Sequence, residues 1–160
     1  LVVHWSDHGE MLCDHGRLSK NVFYSGALDI ILTLRWPGRV PGGRVSAALA
    51  QTVDVFPTLL EAVACEPSAR CLGHSLWPIL RREREQVRDA AFSEVDHTTM
   101  VRTKGWKYAC DAAGCGYMLF DMRNDPGEQR NLIGTPEGGP IEREMRERVL
   151  QFLLGTQVRM

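Results

Sequence analysis

The chain opens with LVVHWSDHGEMLCDHGRLSK, residues 1–20, and the rest of it is organised around this stretch. Leu1, Val2 and Val3 form a short apolar run of the kind that fills a buried parallel strand. Polar groups crowd its end, in the order Ser6-Asp7-His8-Gly9-Glu10. In an open α/β sheet ligands bind outside the carboxyl ends of strands, which puts Asp7 and His8 where a site would be built. A carboxylate oxygen and an imidazole nitrogen can share a divalent cation. Lys20 adds a compact positive charge suited to an oxyanion or a leaving oxygen. Two protein ligands are too few for a tight metal site, so the others have to come from elsewhere. The competing reading is that Asp7 and His8 cap the next helix and fill a polar turn, with Lys20 a surface lysine. Spacing by itself leaves both open.

A length of 160 residues suits one core of useful size, and 44% apolar with 24% charged residues is the balance of a globular protein. The net charge of −1 gives no argument for nucleic acid or an anionic membrane as partner, and no apolar run is long enough to span a bilayer. The chain starts in an apolar strand without an initiator Met, so it is expected to be part of a longer protein. Its five cysteines, Cys13, Cys65, Cys71, Cys110 and Cys115, leave at least one without an internal partner. Cys65/Cys71 and Cys110/Cys115 are spaced to close small loops, but five reduced thiols is the preferred reading. None shows the paired spacing of a zinc site.

Further along, Glu10 to Leu18 reads as a turn or short helix that brings Lys20 back towards Asp7, with Phe23 and Tyr24 packed behind it. Residues 30–36, IILTLRW, read as a second strand ended by Pro37-Gly38. Val45 to Gln51 reads as a short edge strand. Asp54 is placed to N-cap a helix with Pro57 in its first turn and Val55, Leu59, Leu60 and Val63 on one face against the sheet; a role for Asp54 in a site is the lesser alternative. Cys65 to Arg70 reads as a loop, and Arg81 to Arg88, RREREQVR, as a solvated helix end or loop. Four short strands follow, at Ala90–Val95, Met100–Thr103, Trp106–Cys110 and Tyr117–Met122, with turns at Lys104-Gly105 and Gly114-Cys115-Gly116. Asn124 to Glu128 is a turn by composition. Pro140 opens a last helix whose Ile141, Met145, Val149 and Phe152 recur at helical spacing and should pack on the small sheet rather than serve a partner.

The segment SDHGEMLCDHGRLSK resembles the SDHG-E-x-L-G-D-H-x-x-x-x-K segment of the sulfatase family, in the alkaline-phosphatase-like superfamily. Further matches follow in order: Trp36-Pro37-Gly38; Val53-Asp54-Val55-Phe56-Pro57-Thr58-Leu59-Leu60; Gly73-His74-Ser75-Leu76-Trp77-Pro78-Ile79-Leu80; Lys107-Tyr108; and Leu119-Phe120-Asp121-Met122 with Asn124 to Glu128 and Asn131-Leu132. The resemblance covers residues 1 to about 133 and only the C-terminal part of the family's catalytic chain. It implies an α/β fold. Residues 1–80 would be the C-terminal part of the sulfatase sandwich sheet and core, and 81–160 a small four-stranded antiparallel sheet with a C-terminal helix.

By that resemblance the activity is hydrolysis of sulfate esters at a divalent metal, commonly calcium, with manganese or magnesium as alternatives. The resemblance assigns Asp7 and His8 to the metal and Lys20 to the sulfate and its leaving oxygen. It leaves Asp14 and His15 a supporting role, orienting ligands by hydrogen bonds. Glu10 braces the turn. His4 is read equally well as a packed core histidine, and His97 and Lys104 as rim or plain surface residues. A His rather than Asn at position 8 is similar to the choline-sulfatase and phosphonate-monoester-hydrolase side of the family. The formylglycine nucleophile is expected in a missing N-terminal half, along with the remaining metal carboxylates. Cys65 is not it, because Arg70 stands one residue too far on for a C-x-P-x-R motif. The expected partners are therefore a sulfate-ester substrate and that N-terminal half. A phosphonate or phosphate ester hydrolase and a truncated, non-catalytic binding or structural module are the alternatives.

Overall fold

The computed structural model describes residues 1–157. Its first strand, β1 (Val2–Trp5), pairs with β2 (Leu32–Arg35) in an antiparallel ladder with Val2 opposite Arg35 and Trp5 opposite Leu32. Where the sequence predicts a buried parallel strand, the neighbour β1 has among the described residues is antiparallel. A parallel return needs a crossover that carries the chain back to its starting end. Here the path from Ser6 to Ile31 holds only a 3-10 turn (Asp14–Gly16) and the one-turn helix α1 (Ser25–Leu28), so the chain comes back running the other way. With β2 as its only neighbour among the described residues, β1 leaves Leu1, Val2, Trp5 and also His4 exposed. His4 is thus no core residue. Phe23 is buried and Tyr24 partly so, as the sequence suggested.

Residues 45–51 make no ladder, contrary to the expected edge strand. Their end has another task. Gln51 stands at the N-cap of a 3-10 turn (Thr52–Asp54) in a reciprocal capping box, in which the Gln51 N–H donates to Asp54 Oδ2 at 2.8 Å. Asp54 is the third residue of this turn and also the N-cap of the helix that follows, as expected, but its carboxylate makes no cap bond to that helix. Helix α2 (Val55–Ala62) continues from it and buries Val55, Pro57 and Thr58, while Val63 is exposed. The bonds that fix α2 run to the segment before and within helix α3 (Trp77–Leu80). Leu76 N–H donates to Thr58 Oγ1 at 2.9 Å and Trp77 Nε1 to the Thr58 carbonyl at 2.9 Å. Gly73 makes the approach possible, since a Cβ there would lie 2.0 Å from the Val53 carbonyl oxygen.

The second half is a four-stranded antiparallel meander, β3 (Ala90–Val95), β4 (Thr98–Thr103), β5 (Trp106–Cys110) and β6 (Gly116–Asp121), followed by helix α4 (Gly139–Gln157). Side-chain alternation gives this sheet two covered faces. Ala90, Val101, Tyr108, Cys110 and Leu119 meet Met145 and Val149 of α4, with Phe92 stacked on Phe152 at 4.1 Å. Met100, Ala109, Met118 and Phe120 face Phe23, Tyr24 and Leu28 from the first half. Cys13, Cys65, Cys110 and Cys115 are in no disulfide, and no helix among the described residues is long and apolar enough to cross a membrane.

Asp89, just before β3, accepts from Arg148 Nη1 of α4 at 2.9 Å, and this bond holds its carboxyl below the usual 3.8. A depressed carboxyl contributes stability that is complete above its unfolded value and is lost as pH falls through the folded value. The pair is largely exposed, so its worth is about 0.5 kcal/mol. Asp89→Asn is expected to lower the melting temperature by about a degree or two at neutral pH and by nothing once the pH is well below 3.8, which thermal melts across pH would show.

Candidate functional site

Between the two halves lies a cleft of about 430 Å³. Asp7, His8 and Lys20 line one side of it, and Ser93, Glu94, Met100, Arg102 and Lys107 of the meander line another. The order is local in origin. After β1 the chain turns sharply: Met11 is buried, its N–H bonds Ser19 O at 3.2 Å, and the loop between them returns Lys20 to His8. Lys20 Nζ lies 2.5 Å from His8 Nε2. Glu10 Oε1 accepts from Met11 N–H at 3.2 Å, bracing the same turn.

The hydrogen bonds of His8 define its tautomer. The Gly9 carbonyl, 2.7 Å from Nδ1, can only accept, so Nδ1 carries the proton and Nε2 presents a lone pair. That lone pair accepts from the Lys20 ammonium and lies 3.5 Å from Asp7 Oδ2. The Asp7 side chain is 86% exposed and its other oxygen takes the His8 N–H at 3.1 Å. One carboxylate and one imidazole lone pair thus converge beside one ammonium. No group of three or more His, Cys, Asp and Glu is placed to hold a metal among the described residues. Asp7 and His8 fit two positions in the shell of a divalent cation, and a hard cation such as calcium needs several more oxygens than they supply.

Asp14 and His15 stand apart. His15 stacks on Tyr24 with ring centroids 4.0 Å apart, Asp14 Oδ1 accepts from the His15 N–H, and neither is hydrogen-bonded to Asp7, His8 or Lys20. His97 and Lys104 are exposed in the turns after β3 and β4, outside the residues that line the cleft.

Three charged groups in or beside the cleft carry no role in the sequence reading, although Lys107 stands in one of the matched stretches. Lys107, buried on β5, pairs with buried Glu128 and donates to Ser25 Oγ at 2.9 Å; burial pushes its ammonium down from the ordinary range while Glu128 opposes that shift. Its cross-strand neighbour Arg102 is likewise lowered by burial, with Asp29 and Glu128 opposing. Arg88 lies at the end of the segment read as solvated, yet its side chain is 8% exposed and binds Asp54 and Gln51. Lys107 left a trace: in WKYAC it alternates with apolar neighbours on a strand covered on both faces, which calls for a buried partner. Arg88 left none, because the glutamates and arginines before it read as solvent-facing. A larger cleft of about 590 Å³, between β2 and residues 44–51, carries Asp29 and Arg44 as its only ionisable side chains and none of the three converging groups.

A family model described as N-sulphoglucosamine sulphohydrolase, C-terminal, matches residues 13–154. The chain belongs to this sulfatase family. Among its relatives is the Delta 4,5-hexuronate-2-O-sulfatase of Bacteroides thetaiotaomicron, 32% identical over 158 residues that cover 91% of this chain and 33% of that protein. Among solved structures, a protein in complex with its substrate D-glucosamine-2-N,6-O-disulfate superposes with a TM-score of 0.81 at 28% identity, over 98% of this chain and 34% of that one. The phosphonate monoester hydrolase of Agrobacterium radiobacter superposes with a TM-score of 0.87 at 27% identity, over 98% and 35%. The sulfatase chain described here spans about a third of the length of the proteins it matches. The meander with its C-terminal helix and the mixed α/β class agree with the sequence reading.

Proposed function

We propose that residues 1–160 form one wall of a sulfate-ester hydrolase site, completed by the larger N-terminal part of a sulfatase chain. The observation that carries this is the convergence of Asp7, the lone pair of His8 Nε2 and the Lys20 ammonium at one cleft. Asp7 and His8 hold a divalent cation, calcium in the first instance with manganese or magnesium as alternatives; when bound it polarises the sulfate and offsets its charge. Were His8 Nε2 to serve a cation, Lys20 would be released from it, and its ammonium would be available to a sulfate oxygen or the departing oxygen. His8 keeps its other proton on the Gly9 carbonyl, which fixes the ring while the lone pair is used. Asp14 and His15 act, in this reading, only by shaping the loop that carries Lys20. The formylglycine nucleophile and the remaining carboxylate ligands come from outside residues 1–160.

One relative is named a hexuronate-2-O-sulfatase and one solved neighbour holds D-glucosamine-2-N,6-O-disulfate as its substrate, so sulfated monosaccharides are the substrates to try first. Phosphonate esters form the second reading, favoured by His at position 8 and by the likeness to a phosphonate monoester hydrolase. The test is to assay the longer protein with a chromogenic aryl sulfate and a phosphonate ester, with and without chelator. Sulfate hydrolysis faster than phosphonate hydrolysis, and lost on metal removal, is expected. Faster phosphonate turnover exchanges the substrate class. No turnover of either, with metal and formylglycine present, leaves a binding or structural module.

A further inference from the structure

We propose that the buried Lys107–Glu128 pair is a positioning device for His8, acting through Ser25 and α1. The proposal rests on the reading of His8 as a metal ligand through Nε2.

The two side chains are each 2% exposed, so both charges have left water. A buried ion pair of this kind is weak as a source of stability, because desolvation consumes most of the attraction. Its geometry instead grips one residue, Ser25, at its backbone N–H and at its hydroxyl. Glu128 Oε2 accepts from the Ser25 N–H at 2.7 Å, and Lys107 Nζ donates to Ser25 Oγ at 2.9 Å. Glu128 Oε1 meets the Lys107 ammonium as an ion pair. Glu128 also sits at φ +56°, in the left-handed region that favours glycine, at a cost of about 1 kcal/mol. A buried charge on a strained backbone is retained where its placement matters.

Ser25 begins α1, and α1 lies flush against the residue that follows His8. Gly9 N–H donates to the Ala27 carbonyl at 2.7 Å. A Cβ on Gly9 would lie 2.1 Å from the Gly26 carbonyl oxygen and 3.1 Å from that of Asp29, so the two backbones have no slack between them. The Gly9 carbonyl in turn takes the Nδ1 proton of His8 at 2.7 Å. Four contacts therefore connect the meander to the imidazole: the ion pair, its grip on Ser25, the α1–Gly9 bond and the Gly9–His8 bond. If Ser25 shifts, α1 shifts, the Gly9 carbonyl turns, and Nδ1 loses the acceptor that keeps the Nε2 lone pair free. Partners that orient a ligating histidine in this way are worth roughly 10- to 100-fold in metal affinity.

The test uses the full-length protein with Glu128→Gln, with the apolar double replacement Lys107→Met/Glu128→Leu, and with His8→Ala as control. Calcium and manganese dissociation constants are measured below the melting temperature, and the ring 15N shifts of His8 are recorded without metal. Glu128→Gln is expected to weaken metal binding about 10-fold or more and to mix the two His8 tautomers. The double replacement removes the charges together, so it should melt near the parent temperature and still show both effects. A double variant with parental affinity and a purely Nδ1-protonated His8 overturns the proposal and makes the pair packing alone. If His8→Ala leaves metal affinity unchanged, the ligand reading of His8 fails by itself. The tautomer shifts then decide the positioning link separately: mixed forms in the variants sustain it, and unchanged forms end it.

Discussion

Replacing Lys20 by alanine in the full-length protein is expected to lower kcat on a sulfate ester by about 100- to 1,000-fold, with a much smaller change in KM. Among the described residues the Lys20 ammonium is the one cationic side chain bonded to the converging pair, at 2.5 Å from His8 Nε2. Charge builds on the sulfate oxygens and on the departing oxygen as the ester bond breaks, so a fixed cation there acts mainly in the transition state. Lys20→Arg keeps the charge but spreads it over a planar fork, and should recover only part of the loss. Folding should be unaffected, because Lys20 is exposed. The effect should also shrink for esters with good leaving groups, if the ammonium serves the departing oxygen. A kcat within a few-fold of the parent would make Lys20 a surface residue.

Asp54→Ala is expected to cost about 3–5 kcal/mol of stability without entering the chemistry. Asp54 is fully buried. One oxygen takes the His74 N–H at 2.7 Å and the Arg88 guanidinium, and the other takes the Gln51 N–H at 2.8 Å. Truncation strands the Arg88 charge in a site where its side chain is 8% exposed, and it frees two backbone donors. It also cuts a tie between the halves, because Gln51 bridges Arg88 and, through Nε2, the Phe92 carbonyl of β3 at 2.8 Å. Pairing Asp54→Asn with Arg88→Met removes both charges and should recover part of the loss, as a double-mutant cycle in denaturant would measure. A cost for Asp54→Ala below about 1 kcal/mol would mean that the pair is solvated in solution.

These two residues show where the sequence could be read and where it could not. The meander was legible because each strand alternates and each turn carries Gly or a polar pair. The last helix was legible because Met145 and Val149 repeat at one face. Asp54 does stand at the N-cap of α2, but its carboxylate turns back to the Gln51 N–H, the His74 N–H and Arg88, partners that spacing along the chain does not reveal. The matched stretches around Asp54 and Gly73 looked like separate landmarks. In the fold they are one joint, with His74 N–H on Asp54 and Leu76 N–H on Thr58. The antiparallel pairing of β1 with β2 is not legible in the apolar run itself, because its direction is set by the path from Ser6 to Ile31. The Lys107–Glu128 pair was beyond reach because its partners are far apart in sequence and meet only once the meander folds against α1. At the candidate site Asp7, His8 and Lys20 are single residues in a polar turn, and in the sequence only the resemblance of the surrounding motif favours ligands over caps.

In the proposed function Asp7 and His8 provide part of a metal site that the rest of a sulfatase chain completes. The direct measurement is a calorimetric titration of calcium and manganese into the full-length protein, its Asp7→Ala and His8→Ala variants, and residues 1–160 alone. One site in the full-length protein, weakened at least about 10-fold by either replacement and absent or far weaker in residues 1–160, is the predicted result. Unchanged binding in both variants would contradict it and place the metal, if any, away from this cleft.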